Sequence, residues 1–182
     1  MPLRFIDGND LRAAELRRIV PGLDFTLASL PVGYGTSAPD PAQRARDMVL
    51  AVDGDEACFA EAIDLTTMEG ASLRLELDSE NDNRFCRWWR ETPVRLHVCA
   101  ALRRAPDAAV ELFAAECEGR IADQPDGPRA LGWERLFVPE GFTRTLAHLV
   151  ELSVARGEPD PVGLRTLIYG DLAAALGIAL PA

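Results

Sequence analysis

An α/β fold is predicted by three features of the sequence. Residues 3–27 run strand, helix, strand; residues 94–117 read as two strands joined by a turn; and the last quarter reads as helix. A β-α-β opening favours parallel strands with a right-handed crossover, because a parallel return needs a segment that packs back on the sheet.

Leu3 to Asp7 has the apolar content of a short strand, and Gly8-Asn9-Asp10 turns it into a helix. In that helix Leu11, Leu16, Ile19 and Val20 fall near helical spacing, and Pro21-Gly22 ends it. Asp24 to Leu27 is the second strand. Pro31 to Pro41, rich in Gly, Ser and Pro, is a loop. A helix is predicted from about Ala42 to Val52, broken by Asp53-Gly54-Asp55, and a strand follows from Ala57 to Leu65.

The charged run from Asp78 to Asn83 leads into a helix, Asn83 to Arg90, that carries Phe85, Trp88 and Trp89. Val94 to Leu102 and Ala109 to Cys117 alternate around the turn Ala105-Pro106-Asp107, as an antiparallel hairpin does. Helices are predicted over Thr145 to about Ala155 and Val162 to Leu176. Asp160 and Pro161 suit the start of the last one and Gly177 its end.

Composition narrows the partners. The 182 residues suit one domain, taken as residues 1–182, and carry a net charge of −10. Such a charge repels nucleic acid polymers, whereas a small phosphate ester needs only a few guanidiniums and backbone amides. No apolar run is long enough to span a bilayer, and the first residues are too acidic for a secretory signal, so a cytoplasmic protein is expected. All 19 basic residues are arginine, which removes lysine Schiff-base chemistry and any Walker-type phosphate lysine. Cys58, Cys86, Cys99 and Cys117 have no CxxC spacing, and only His97 and His148 could join them, so a structural zinc site is disfavoured.

Several residues have the chemistry of a site. Asn9 stands at a predicted helix N-terminus, where backbone amides favour anions, with Arg12 and Glu15 on the next turns. Glu61 and Asp64 stand near the C-terminal end of a strand, where α/β sheets bind ligands. Residues three apart on a strand point to opposite faces, so both acids serve one site only if that strand ends at about Ala62. Arg165 lies in the first turns of the last helix and can clamp a phosphate or a carboxylate. Around a Gly-Trp-Glu turn, Leu131, Trp133 and Phe137 can sandwich a planar base and Glu134 can accept from its edge; core aromatics are the plainer reading. His148 has no accompanying nucleophile, which leaves it as a surface or helix-capping residue.

Together these segments resemble the inosine triphosphate pyrophosphatase family. The family's opening T/S-G-N-x-x-K-x-x-E is matched by Gly8, Asn9 and Glu15, with Arg12 in the lysine's place. Its G-R-I segment is matched by Gly119-Arg120-Ile121. Its G-W-D-x-x-F-x-P-x-G-x-x-x-T-x-A-E-M is matched at Gly132, Trp133, Phe137, Pro139, Gly141, Thr145 and Ala147, with Glu134 for the Asp, His148 for the Glu and Leu149 for the Met.

The resemblance implies a mixed, elongated central β-sheet flanked by helices, in two lobes with a cleft between them. It implies hydrolysis of a nucleotide to monophosphate and pyrophosphate with Mg²⁺, in a homodimer for which the Phe85-Trp88-Trp89 helix is a candidate interface. Asn9, Arg12 and Arg165 would hold the phosphates and Trp133, Glu134 and Phe137 the base, with Glu15 a further substrate-binding residue. Asp64 and Glu61 would be the catalytic carboxylates, and Asp64, Glu61 and Asp40 the metal ligands.

The departures concern the chemistry. The family's loop acid should stand near Gly35 or Thr36, and Asp40 is the nearest carboxylate. Its D-S/T-G strand end has two registers, one with Ala62 in the aspartate's place beside Glu61, the other with Asp64 followed by Leu65-Thr66. The closing S-H-R becomes Gly163-Leu164-Arg165, and the preceding base-recognition lysine falls near Pro159. Base preference should therefore differ from that for inosine and xanthosine triphosphates. A nucleotide-binding protein without turnover is the alternative.

Overall fold

The computed structural model describes residues 3–31, 38–74 and 81–180. Strand β1 (Leu3–Ile6) leads to helix α1 (Asp10–Ile19), β2 (Phe25–Ala28), α2 (Pro41–Leu50) and the long strand β3 (Ala57–Thr67). Helix α3 (Asp82–Trp89), β4 (Pro93–Arg103) and β5 (Glu111–Ile121) follow. A short 3-10 helix (Arg129–Arg135), β6 (Phe137–Pro139), α4 (Leu146–Arg156) and α5 (Leu164–Ala175) complete the order.

Local chemistry sets the helix ends. Asn9 caps α1 by accepting from the Arg12 amide, and Asp10 in the first turn with Arg17 and Arg18 in the last complement the helix dipole. Asp40 caps α2 through the Ala42 amide, with Pro41 in the first turn. Thr145 caps α4 through the His148 amide, and Gly157 closes that helix in the left-handed conformation. Gly8 is required by close approach: a Cβ there would lie 2.9 Å from both Leu27 and Phe5 side chains.

Among the described residues, six strands form one mixed sheet in the order β2-β1-β3-β4-β5-β6. β1 pairs parallel with β2 and with β3, as the β-α-β opening predicts, and β5 pairs antiparallel with β6. β4 and β5 are neighbours joined by residues 104–110, and Arg104 pairs with Glu111 across that turn at 2.7 Å.

The chain divides into two compact units. The first comprises residues 1–62, 98–115 and 165–182; the second comprises 63–97 and 116–164. In the first unit, one sheet face buries Ile6, Cys58, Ala60 and Ala62 against Ala45, Met48 and Val49 of α2. The opposite face carries Phe5, Phe25 and Phe59, whose rings meet edge-on or tilted. Each buried Ile, Val, Met or Phe among them contributes about 1.5–3 kcal/mol of apolar transfer, so these two layers hold the first unit together.

The second unit packs α3, the 3-10 helix, β6 and α4. Of the three α3 aromatics, Phe85 is buried and stacks on Trp89, and only Trp88 is strongly exposed, at 58%, beneath the Arg84 guanidinium. Gly119 permits β5 and β6 to touch, since a Cβ there would lie 2.3 Å from the Val138 carbonyl oxygen. β6 was not foreseen in the sequence, because three residues carry no readable period. The last helix also begins later than predicted: Asp160 accepts from the Val162 amide in a turn, Gly163 is left-handed, and α5 starts at Leu164. Among the described residues no helix is long and apolar enough to cross a membrane.

Candidate functional site

In the first unit, α1, β3 and α5 bring four charged side chains together beneath the surface. Arg12 donates through Nη1 to Glu15 Oε2 at 2.5 Å, and Arg165 lies 3.9 Å from that same oxygen. Arg165 also donates through Nε and Nη2 to Glu61 Oε2, each at 3.4 Å. Side-chain exposures of 6% for Arg12, 0% for Glu15, 2% for Arg165 and 8% for Glu61 put the cluster out of bulk water.

Backbone periodicity explains the convergence. Positions 12 and 15 are three apart on α1 and share a helix face, so the guanidinium and carboxylate meet. Phe59 and Glu61 are two apart on β3 and share a sheet face. Arg165 and Tyr169 are four apart on α5 and share a face, so Arg165 meets Glu61 while the Tyr169 ring packs edge-on against Phe59 at 6.1 Å.

Removing charges from water is costly, and two guanidiniums with two carboxylates compensate each other only where the geometry is close. Burial, followed by the neighbouring Arg165 charge, pulls the Arg12 guanidinium below its ordinary range, while Glu15 and Glu61 oppose that shift. Burial and then the Glu61 charge push the Tyr169 phenol well above its ordinary range, so it stays protonated. Sequence reasoning missed Tyr169. Its one available signal is its position a single helical turn beyond Arg165.

Asp64 does not join Glu61. β3 runs without a break to Thr67, so alternation sends the two side chains to opposite faces, and the condition that the strand end near Ala62 is not met. In the second unit the buried Asp64 carboxylate accepts through Oδ1 from the Leu65 amide and the Ser72 hydroxyl, each at 3.0 Å. Asp40 is exposed and its Oδ1 is engaged in capping α2.

These placements bear on Mg²⁺. Among the described residues, no three His, Cys, Asp or Glu side chains gather into a metal site, though Mg²⁺ is usually held by only one or two carboxylates with substrate phosphates. Asp40 caps a helix and Glu61 is held by Arg165, so within the first unit neither carboxylate is placed as a ready Mg²⁺ ligand. Gly35 and Thr36, where the resemblance places a loop acid, lie outside the described residues, as does the Asp78 end of the charged run.

In the second unit the base-pocket candidates separate. Leu131 and Glu134 are buried, Trp133 is half-buried, and Gly132 kinks the 3-10 helix between them. Phe137 is wholly buried in β6, its ring lying where a Gly119 Cβ would be, so it serves packing rather than a pocket wall. His148 Nδ1 lies 3.2 Å from Arg144 and 3.6 Å from Asp126, on the first turn of α4.

Comparison with known proteins agrees with this architecture. The Ham1 family model matches residues 77–153. A dITP/XTP pyrophosphatase of Frankia alni is 28% identical, with 92% of this chain and 93% of that protein covered. An inosine triphosphate pyrophosphatase of Yarrowia lipolytica is 31% identical over 48% of this chain and 47% of its own. Among solved structures, a HAM1 protein from Coxiella burnetii superposes with a TM-score of 0.70 at 16% identity, with 97% of this chain and 98% of that one covered. Its likeness establishes the fold, and the matched sequence segments carry the resemblance. The chain is thus similar to the Ham1 family over residues 77–153 and has the fold of the solved HAM1 protein structures.

Proposed function

We propose that the protein hydrolyses a nucleoside triphosphate to the monophosphate and pyrophosphate. In this reading Asn9, Arg12 and Arg165 bind phosphate oxygens and Glu61 takes a proton from the attacking water. Trp133 and Glu134 contact the base. The relatives named as pyrophosphatases support the reaction class.

One observation carries the reading: Arg12, Glu15, Glu61 and Arg165, from three separated segments, meet in one buried cluster. Well-packed apolar residues in such a place are often as stable or more so, which makes a function the reason for keeping the charges. Guanidiniums suit the task because they hold phosphate in two-point contact. On substrate arrival they exchange carboxylate oxygens for phosphate oxygens, one anion for another. As water attacks the α-phosphorus its proton passes to Glu61. The leaving pyrophosphate takes the electron pair, and the guanidiniums stabilise its growing charge.

Base choice follows from what the chain lacks. Without a histidine in the Gly163-Leu164-Arg165 segment and without any lysine, discrimination rests on Glu134 and on Trp133. Pyrophosphate release across a panel of standard and deaminated nucleoside triphosphates tests the proposal, and absence of turnover with all of them refutes it.

A second reading is favoured by the engagement of both guanidiniums with buried carboxylates: nucleotide binding without turnover. Calorimetry separates the two, since binding without pyrophosphate release supports the second.

A further inference from the structure

The buried cluster contains three oxygens whose chemistry is unspent. Glu15 Oε1, Glu61 Oε1 and Tyr169 Oη are all buried and find no hydrogen-bond partner among the described residues. The arginines engage the opposite oxygen, Oε2, of each carboxylate. Such orphans cost about 1–3 kcal/mol each unless something satisfies them.

Packing does not explain the tyrosine. Its ring is fully buried on Phe59, a place that phenylalanine would fill without burying a hydroxyl. The hydroxyl feels the charges of Glu61, Arg165, Glu15 and Arg12, and burial keeps it protonated, hence a donor. One donor and two acceptors in a buried polar setting match a water molecule, which typically makes about three hydrogen bonds at such sites.

Building on the proposed hydrolysis, we infer that Tyr169 is a positioning residue that holds the attacking water between the Glu15 and Glu61 carboxylates. The water donates to Glu15 Oε1 and Glu61 Oε1 and accepts from the Tyr169 hydroxyl, which leaves one lone pair for phosphorus. In the reaction the new O–P bond forms, the bond from the α-phosphorus to the bridging oxygen breaks, and Glu61 Oε1 receives the proton. Pyrophosphate departs with the electron pair. Tyr169 neither gains nor loses a proton.

The test is Tyr169→Phe in the full chain, beside a crystal structure of the wild type at a resolution that shows waters. The crystal should contain a water within about 2.6–3.2 Å of all three oxygens. Its absence overturns the inference. Losing a satisfied hydroxyl should lower the variant's Tm by about 2–4 °C, whereas a rise would mean the hydroxyl was an orphan and overturns it. With the best triphosphate, kcat should fall roughly ten- to a hundredfold while KM stays unchanged. Unchanged kcat, or a KM effect alone, removes the positioning role, since a purely structural tyrosine moves only Tm. Should the wild type turn over no triphosphate, the proposed hydrolysis fails, and the crystal and Tm still decide whether Tyr169 holds a water.

Discussion

Arg165 at the start of α5 holds the Glu61 carboxylate of β3 through two 3.4 Å contacts, joining residues 104 positions apart in the chain. The same guanidinium reaches Glu15 at 3.9 Å, so one cation serves two buried anions. Removing it weakens the compensation of both carboxylates at once. Arg165→Ala should therefore destabilise the protein by about 3–5 kcal/mol, the usual effect of breaking a buried pair from one side. Urea unfolding measures it. A loss below about 1 kcal/mol, the level of a surface pair, would show that the cluster is not buried in solution.

Glu61→Gln separates chemistry from folding. The amide keeps the shape and can still accept from Arg165 through its oxygen, but it cannot take a proton. Pyrophosphate release should fall on the order of 10²–10⁴-fold, as for loss of a general base, while circular dichroism stays native. Activity within threefold of wild type would move the base elsewhere, with Asp64 the next candidate for substitution.

Trp133→Ala probes the base end. A half-buried aromatic that stacks on a base contributes about 1–3 kcal/mol to its binding. KM should therefore rise roughly ten- to a hundredfold with kcat little changed. Phe137→Leu, in the buried β6, should instead lower Tm and leave KM alone. Equal KM effects from both would return Phe137 to the pocket.

The Cys86 thiol gives a pH prediction. Burial, and then the Asp82 charge, push it up to about 12. A thiol raised in the folded state contributes stability that is complete below its unfolded pKa and is lost as pH rises through the folded value. Tm should stay level to about pH 8.5, the free thiol's pKa, and then fall toward pH 12. Cys86→Ala should flatten that decline. A Tm curve unaltered by the substitution would show that Cys86 does not set the alkaline limit. Native-state alkylation at pH 8 should label the half-buried Cys117 before Cys86.

Gly119→Ala should destabilise strongly, because the new methyl would lie 2.3 Å from the Val138 carbonyl oxygen. Separating β5 from β6 would break the pairing of Gly119 with Pro139 and its neighbours. A variant that unfolds within about 0.5 kcal/mol of wild type, the range of a neutral surface change, would mean the two strands can part without cost.

Much of the fold is legible because period and punctuation agree. Asn9, Asp40 and Thr145 cap the helices they precede, and Pro21-Gly22 and Asp53-Gly54-Asp55 fall in the breaks expected of them. The parallel start of the sheet follows from strand, helix and strand in order. The failures have local causes. β6 is too short for a period, and α5 starts after Gly163 because that left-handed glycine cannot be anticipated from its neighbours.

The site divides along the same line. Sequence spacing and composition alone placed Gly8-Asn9, Arg12 and Glu15 at one helix start, made Gly132 to Thr145 the carrier of the family resemblance, and left arginine or a metal to neutralise any phosphate. Only tertiary structure decided that Glu61 meets Arg165, because the register of β3 and the packing of α5 bring the two together. Only tertiary structure added Tyr169, whose role depends on α5 lying against Phe59, a contact between residues 110 positions apart that no local pattern encodes. Local periods are written in the chain. The meeting of distant faces is settled by which apolar layers bury together, and that is a property of the whole fold.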